Sequence, residues 1–303
     1  MPHIPVLLEE VIKILDPSRG EFFIDATAGR GGHTEKILER IGENGKILAI
    51  DWDEDNTSFL KKKFVDYPNV LVEHANYTDT PEILRQKKLP RADGLLLDLG
   101  FSSNQLAESG RGFSFLKDEP LLMTYDQNQT PVKDLIRKMS ETELAEALRD
   151  FGEEKFAKQI ARAVRGAKKP IETTGELARI VKNAVPKNYE RGHRRGGASR
   201  LNPATRTFQA LRIYANSELG NLEKLLNNLT GILKSGGRAA IISFHSLEDR
   251  IVKNYFKAME KEAKLKILTK KPVGPTFLEV KNNPRSRSAK LRAAVFVQTK
   301  VRN

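Results

Sequence analysis

Between Val6 and Leu99 the chain alternates two hydrophobic rhythms. Short apolar runs at 22–25, 46–51, 70–74 and 94–99 are bounded by polar or glycine-containing turns and predict strands. Stretches 6–15, 33–41, 56–64 and 81–88 place apolar residues at three- and four-residue spacing and predict helices. Alternation at this pitch builds βαβ units, so the expected fold is α/β, a mostly parallel sheet with helices on both faces.

The rhythm then changes. The next strand pattern is 237–244, carrying Ala239, Ala240, Ile241 and Ile242. A loop filling the interval is implausible in a compact domain, and the interval is rich in helix signals. Ser140-x-x-Glu143 precedes Leu144 and Leu148, and Thr173-x-x-Glu176 precedes Leu177 and Val181, both capping-box patterns. Phe208, Leu211, Ala215, Leu222, Leu225, Leu229 and Ile232 predict one long amphipathic helix. A small helical domain, 105–207, is therefore expected as an insertion into an α/β domain made of 1–104 and 208–303. Ser246-x-x-Asp249 predicts a cap for a following helix, and 265–268 and 293–301 predict closing strands.

Charge sharpens this division. Residues 1–150 carry 19 basic and 27 acidic side chains, whereas 151–212 carry 15 against 5 and 261–303 carry 12 against 2. Two basic segments in an otherwise acidic chain predict a polyanionic partner, with nucleic acid favoured over membrane. The 303 residues include no cysteine, which excludes disulfides, thiolate-ligated metals and thiol nucleophiles. No apolar run approaches ~18 residues and the N-terminus shows no signal pattern, so a cytoplasmic location is expected.

The sharpest chemical pattern is Asp25-Ala26-Thr27-Ala28-Gly29-Arg30-Gly31-Gly32-His33, lying between a strand and a helix. Glycines there let the backbone approach a ligand at a helix N-terminus. Asp51 ends the next strand, placed to accept hydrogen bonds from ribose hydroxyls. The third glycine of a dinucleotide fingerprint is absent, since Thr34 stands there, and the acidic Asp25 favours a cationic ligand such as S-adenosylmethionine. Asp98 ends the fourth strand, where α/β sheets collect their ligands, and can serve a reacting group or cap the next turn. His245 with Glu248 or Asp249 offers metal-ligating types, but one histidine with local carboxylates suits helix capping better. Residues 202–209 and 283–290 are polar and arginine-bearing, suited to phosphates or to solvent. Residues 189–200 form a Gly/Arg-rich stretch expected to be a basic loop.

These motifs belong to a longer series. It runs through His3-x-Pro5-Val6-Leu7-Leu8-x-Glu10-Val11, the 25–33 loop, Leu97-Asp98-Leu99-Gly100-x-Ser102-Ser103 and Arg111-Gly112-Phe113-Ser114-Phe115. It continues through Pro203–Ile213, 243–250 and 283–292, and resembles, nearly end to end, the bacterial ribosomal RNA small-subunit methyltransferase H family. The resemblance implies a class I (Rossmann-like) methyltransferase domain, S-adenosyl-L-methionine as cofactor, and methylation of the exocyclic N4 of a cytidine in the decoding region of 16S rRNA, free or in the assembling small subunit. It implies cofactor positions at Gly31, Gly32, His33, Asp51, Tyr77, Asp98 and Gln105. No metal is expected, and Asp98 is the catalytic candidate, to accept a hydrogen bond from the amine or else to serve the cofactor. Where that family usually reads close to Asp-Gly-Pro-Leu-Asp-Met-Arg-Met, this chain has Asp118-Glu119-Pro120-Leu121-Leu122-Met123-Thr124-Tyr125, without the acid and the base. Two other readings remain open here. A nicotinamide oxidoreductase would share the sheet and Asp51, and a non-catalytic RNA-binding assembly factor would share the basic segments.

Overall fold

The structure, a computed structural model, describes residues 4–100, 110–126, 128–186 and 202–297. Gln105, Ser102, Ser103, the 189–200 stretch and the last residues of the expected closing strand lie outside the described residues. The chain divides into two compact units, one of residues 1–102 with 219–303 and one of 103–218.

The first unit holds seven strands: β1 (Phe22–Asp25), β2 (Lys46–Asp51), β3 (Val70–His74), β4 (Ala92–Asp98), β5 (Leu233–Ser243), β6 (Leu265–Ile267) and β7 (Lys290–Phe296). They form one sheet in the order β3-β2-β1-β4-β5-β7-β6. β1 to β5 are parallel, and β7 runs antiparallel between β5 and β6. The strands are apolar on both faces because both faces are covered. Ile24, Leu48, Leu95, Leu97 and Ile241 point to one face, where α4 (Thr80–Gln86), α10 (Glu218–Ile232) and α11 (Ser246–Lys261) supply Ile83, Leu222, Leu229 and Phe256. Phe23, Ile47, Leu96 and Ile242 point to the other, against α1 (Leu8–Leu15), α2 (Gly32–Ile41) and α3 (Glu54–Lys63). Strand order reverses direction between β1 and β4, and the crevice beyond their carboxyl ends is where such sheets bind ligands. Asp25 and Asp98 end those two strands.

The second unit is helical among its described residues: α5 (Val132–Lys138), α6 (Glu141–Gly152), α7 (Ala157–Arg165), α8 (Thr174–Ala184) and α9 (Ala204–Asn216). Leu148, Ile160, Leu177, Val181 and Phe208 meet in one core. Both capping boxes form, Ser140 with Glu143 and Thr173 with Glu176.

Three expectations need correction. The single long helix is two, α9 and α10, separated at Ser217, whose φ of 50° is left-handed. The unit boundary falls after that break, at 218, where the sequence pattern suggested 207. The cap of α11 is His245 with Glu248, not Ser246 with Asp249. The Asp249 carboxylate is already taken by Arg292, at 2.6 Å from Nε.

The departing loop at 118–125 is a packed element of the helical unit. Leu121 and Thr124 are buried, Gly175 donates its N–H to Asp118 at 2.9 Å, and the Tyr125 ring stacks on Phe113 at 5.3 Å. The hydrogen bond from Thr173 and then the Gly175 amide hold the Asp118 carboxyl below its usual range.

Candidate active site

The strand β1 delivers Asp25 into the sheet's carboxyl edge, and the chain then turns sharply into α2. Two glycines make that turn possible. Gly31 adopts φ 75° as the N-cap of α2, and a Cβ on it would lie 2.8 Å from Leu60 Cδ2. Gly32 leaves no room either, because a Cβ there would sit 2.3 Å from Pro5 Cγ. The loop is thus pressed between α3 and the segment leading into α1, and its own amides tie it down: Ala28 donates its N–H to the Ile50 carbonyl at 2.8 Å and Gly31 donates to the Ala28 carbonyl at 2.7 Å.

Asp51, at the end of β2, fixes this loop from the other side. Its Oδ2 accepts the Gly29 N–H at 2.7 Å, and its Oδ1 accepts the Asp53 N–H at 2.9 Å and the Asn56 amide at 3.1 Å. An ionised carboxylate offers about four acceptor positions, and these three bonds leave capacity for one further donor. Burial raises the Asp51 carboxyl above its usual value. Ala75 donates its N–H to the Asp51 carbonyl at 3.1 Å, so the chain leaves β3 beside Asp51 and reaches Tyr77 in the short helix Tyr77–Asp79. Tyr77 is half-buried against the sheet core.

At the neighbouring strand end, three groups interlock. The Asp98 N–H donates to Thr27 Oγ1 at 2.6 Å, joining β4 to the glycine loop. Asp98 Oδ1 accepts the Gly100 N–H at 3.1 Å, and Oδ2 lies 3.9 Å from His33 Nδ1. His33 Nε2 sits 3.0 Å from the Val6 carbonyl, which only accepts, so that nitrogen carries a proton while Nδ1 faces Asp98. Asp25 is buried, with Thr34 Oγ1 donating to it at 2.6 Å. Burial pushes Asp98 up to about 7, with the charges of Asp25 and Glu248 adding to it, and pushes Asp25 up to about 6.

Residues 1–297 match the model of the MraW methylase family. The chain belongs to that family. The protein named ribosomal RNA small subunit methyltransferase H of Halothermothrix orenii is 43% identical, over 97% of this chain and 98% of its own length. The protein of the same name from Syntrophus aciditrophicus is 44% identical over 96% of each chain. Membership of the MraW methylase family makes the chain a methyltransferase with S-adenosylmethionine as methyl donor.

The residues present fit that donor. Buried carboxylates raised in pKa are a site short of positive charge, and S-adenosylmethionine carries an ammonium and a sulfonium. The spare acceptor capacity of Asp51 suits a ribose hydroxyl, and the Gly29–Gly32 turn admits a ligand close to backbone. Of the expected positions, the structure brings Gly31, Gly32, His33, Asp51 and Asp98 to one edge of the sheet, linked through the Gly29, Thr27 and Val6 contacts. Tyr77 stands one short turn beyond β3, and Gln105 lies outside the described residues. His245 caps α11, with the Glu248 carboxylate accepting the Phe244 N–H at 2.8 Å.

Sequence reasoning missed Thr27, Thr34 and Asn56 as supports of the site. Thr27 and Asn56 are short polar residues close to a strand-end Asp, a signal shared with ordinary turns. Only the fold distinguishes them. Among the described residues no helix is long and apolar enough to cross a membrane.

Proposed function

We propose that this methyltransferase modifies the exocyclic N4 of a cytidine in the decoding region of 16S rRNA, in the cytoplasm, on free RNA or the assembling small subunit. The observation that carries the reading is Asp98, a carboxylate held near neutral pKa beside His33 at the sheet's switch point, in a chain without cysteine. Methylating C5 of a pyrimidine normally requires a thiolate to add to the ring, whereas an amine can attack the sulfonium methyl directly. The cytosine amine is a weak nucleophile because its lone pair is delocalised into the ring. Asp98 would accept a hydrogen bond from that amine, help it pyramidalise and receive the proton it sheds, while the donor supplies the methyl and leaves as its neutral thioether. The Gly100 N–H, donated to Oδ1 at 3.1 Å, keeps the Asp98 carboxylate in place, and His33, tied to Val6, stands beside it. Gly31, Gly32 and Asp51 hold the cofactor, Asp51 through the ribose, with Tyr77 and Gln105 as further cofactor contacts. Much of the acceleration comes from holding amine and methyl in near-attack alignment, and the target base must stand outside its stack.

The test is transfer of labelled methyl from S-adenosylmethionine to small-subunit rRNA lacking the modification. Asp98→Ala should lower turnover at saturating cofactor roughly 10- to 10²-fold, the equivalent of a charged hydrogen bond worth ~1.5–3 kcal/mol in the transition state. Full turnover in that variant would remove Asp98 from the chemistry.

A further inference from the structure

One surface of the methyltransferase unit is left unexplained by the cofactor site. Residues Phe277–Asn282 form a short helix, α12, followed by a tight turn at Pro284–Ser288. Phe277 is 83% exposed and Leu278 67% exposed, although one face of α12 is anchored. Glu279 Oε1 accepts the Leu7 N–H at 2.8 Å, and Asn283 Nδ2 donates to the Ile4 carbonyl at 3.0 Å. The anchored segment is the one that also holds His33. Leu7 follows Val6, Val6 holds His33, and His33 faces Asp98 at 3.9 Å. So α12 is joined through Leu7 and Val6 to the segment that holds His33, while the Asp51 side of the glycine loop is fixed by other contacts.

The stretch of chain that carries these two apolar side chains is basic. Lys281, Arg285 and Arg287 are exposed, and from 268 to 292 the one acidic residue is Glu279, whose carboxylate holds the Leu7 amide. An exposed aromatic on a basic stretch is the composition of a single-stranded nucleic-acid platform, in which bases stack on the ring and phosphates meet the cations.

We propose that Phe277 is a stacking platform for a base of single-stranded RNA flanking the target nucleotide, with Lys281, Arg285 and Arg287 receiving its phosphates. This rests on the reading of the site as an RNA methyltransferase and adds the face by which the strand approaches. A base stacked on Phe277 fixes the strand on the methyltransferase unit and helps keep the neighbouring target base out of its own stack.

The experiment measures fluorescence anisotropy of a short labelled single-stranded RNA and of the same strand carrying abasic riboses, with the full-length protein. Phe277→Ala, at an exposed position, should weaken the base-carrying strand roughly 5- to 100-fold and leave the abasic strand unchanged, and Phe277→Trp should restore the loss. Replacing Arg285 and Arg287 by glutamine should weaken both strands and flatten the log–log salt slope by about 0.7 per lost contact. Phe277→Ala with wild-type affinity, or equal loss on both strands, overturns the platform and leaves the patch to a protein partner. Methyl transfer to rRNA by the wild-type protein is scored in parallel. If it persists while Phe277 proves neutral, this inference falls alone; if the wild type transfers no methyl to RNA, the functional reading falls, and the anisotropy still decides the platform.

Discussion

The raised carboxyls at the sheet edge make cofactor binding a proton-linked event whose size can be worked out. With Asp98 at about 7 and Asp25 at about 6, roughly half a proton sits on Asp98 at pH 7 and about a tenth of one on Asp25. A bound cation favours the ionised forms, so binding at pH 7 should release about 0.6 proton from these two groups, falling to about 0.1 at pH 8. Affinity should accordingly weaken about tenfold per pH unit below 7 as Asp98 must lose its proton first, and more steeply below 6 as Asp25 joins. The same shifts act on the cofactor-free protein with a definite sign. The folded state holds protons that the unfolded state has already lost between about pH 4 and 7, so stability without cofactor falls as pH rises through that window. The assay is titration calorimetry with S-adenosylmethionine in buffers of different ionisation enthalpy, on the wild type and Asp98→Asn. The ligand's own amino group titrates near pH 8 and contributes equally to both, so the difference isolates Asp98. A difference near half a proton at pH 7 is expected. Equal proton release in the two proteins, or an affinity flat from pH 5 to 8, would refute the reasoning.

Two further outcomes follow from the loop geometry. Gly32→Ala must displace Pro5, 2.3 Å from the added Cβ, and should cost about 1–3 kcal/mol of stability along with cofactor affinity; a denaturant melt that overlays the wild type would show that the Pro5 segment yields freely. Asp51→Asn removes the charge that holds both the Gly29 amide and the expected ribose contact, and should weaken cofactor binding by ~1.5–3 kcal/mol by calorimetry, with unchanged affinity in a folded variant placing the ribose elsewhere.

The first three strands were legible to the residue because each is a largely apolar run closed by Asp or His, as at Asp25, Asp51 and His74, whereas β4 and β5 begin earlier than their apolar runs, at Ala92 and Leu233. The break at Ser217 was not, because Leu211, Ala215, Leu222 and Leu225 keep an apolar face on both sides of it and a left-handed serine leaves no mark in composition. The α11 cap was misread by one residue because two acids lie in register with two candidate caps, and only the position of Arg292 on β7 decides which acid is available. The site shows the same division. Gly31, Gly32 and Asp51 announce themselves by spacing, whereas the Thr27 bond to the Asp98 amide joins residues far apart in sequence and appears only when β1 and β4 lie side by side.

The identity of the methylated atom tests the account most directly. Small-subunit rRNA carrying the methyl group transferred by this enzyme is digested to nucleosides and resolved by mass spectrometry against N4-methylcytidine and 5-methylcytidine. Direct attack by an exocyclic amine next to Asp98, in a protein without a thiol, predicts N4-methylated cytidine and no trapped adduct with 5-fluorocytidine RNA. A 5-methylcytidine product would contradict it.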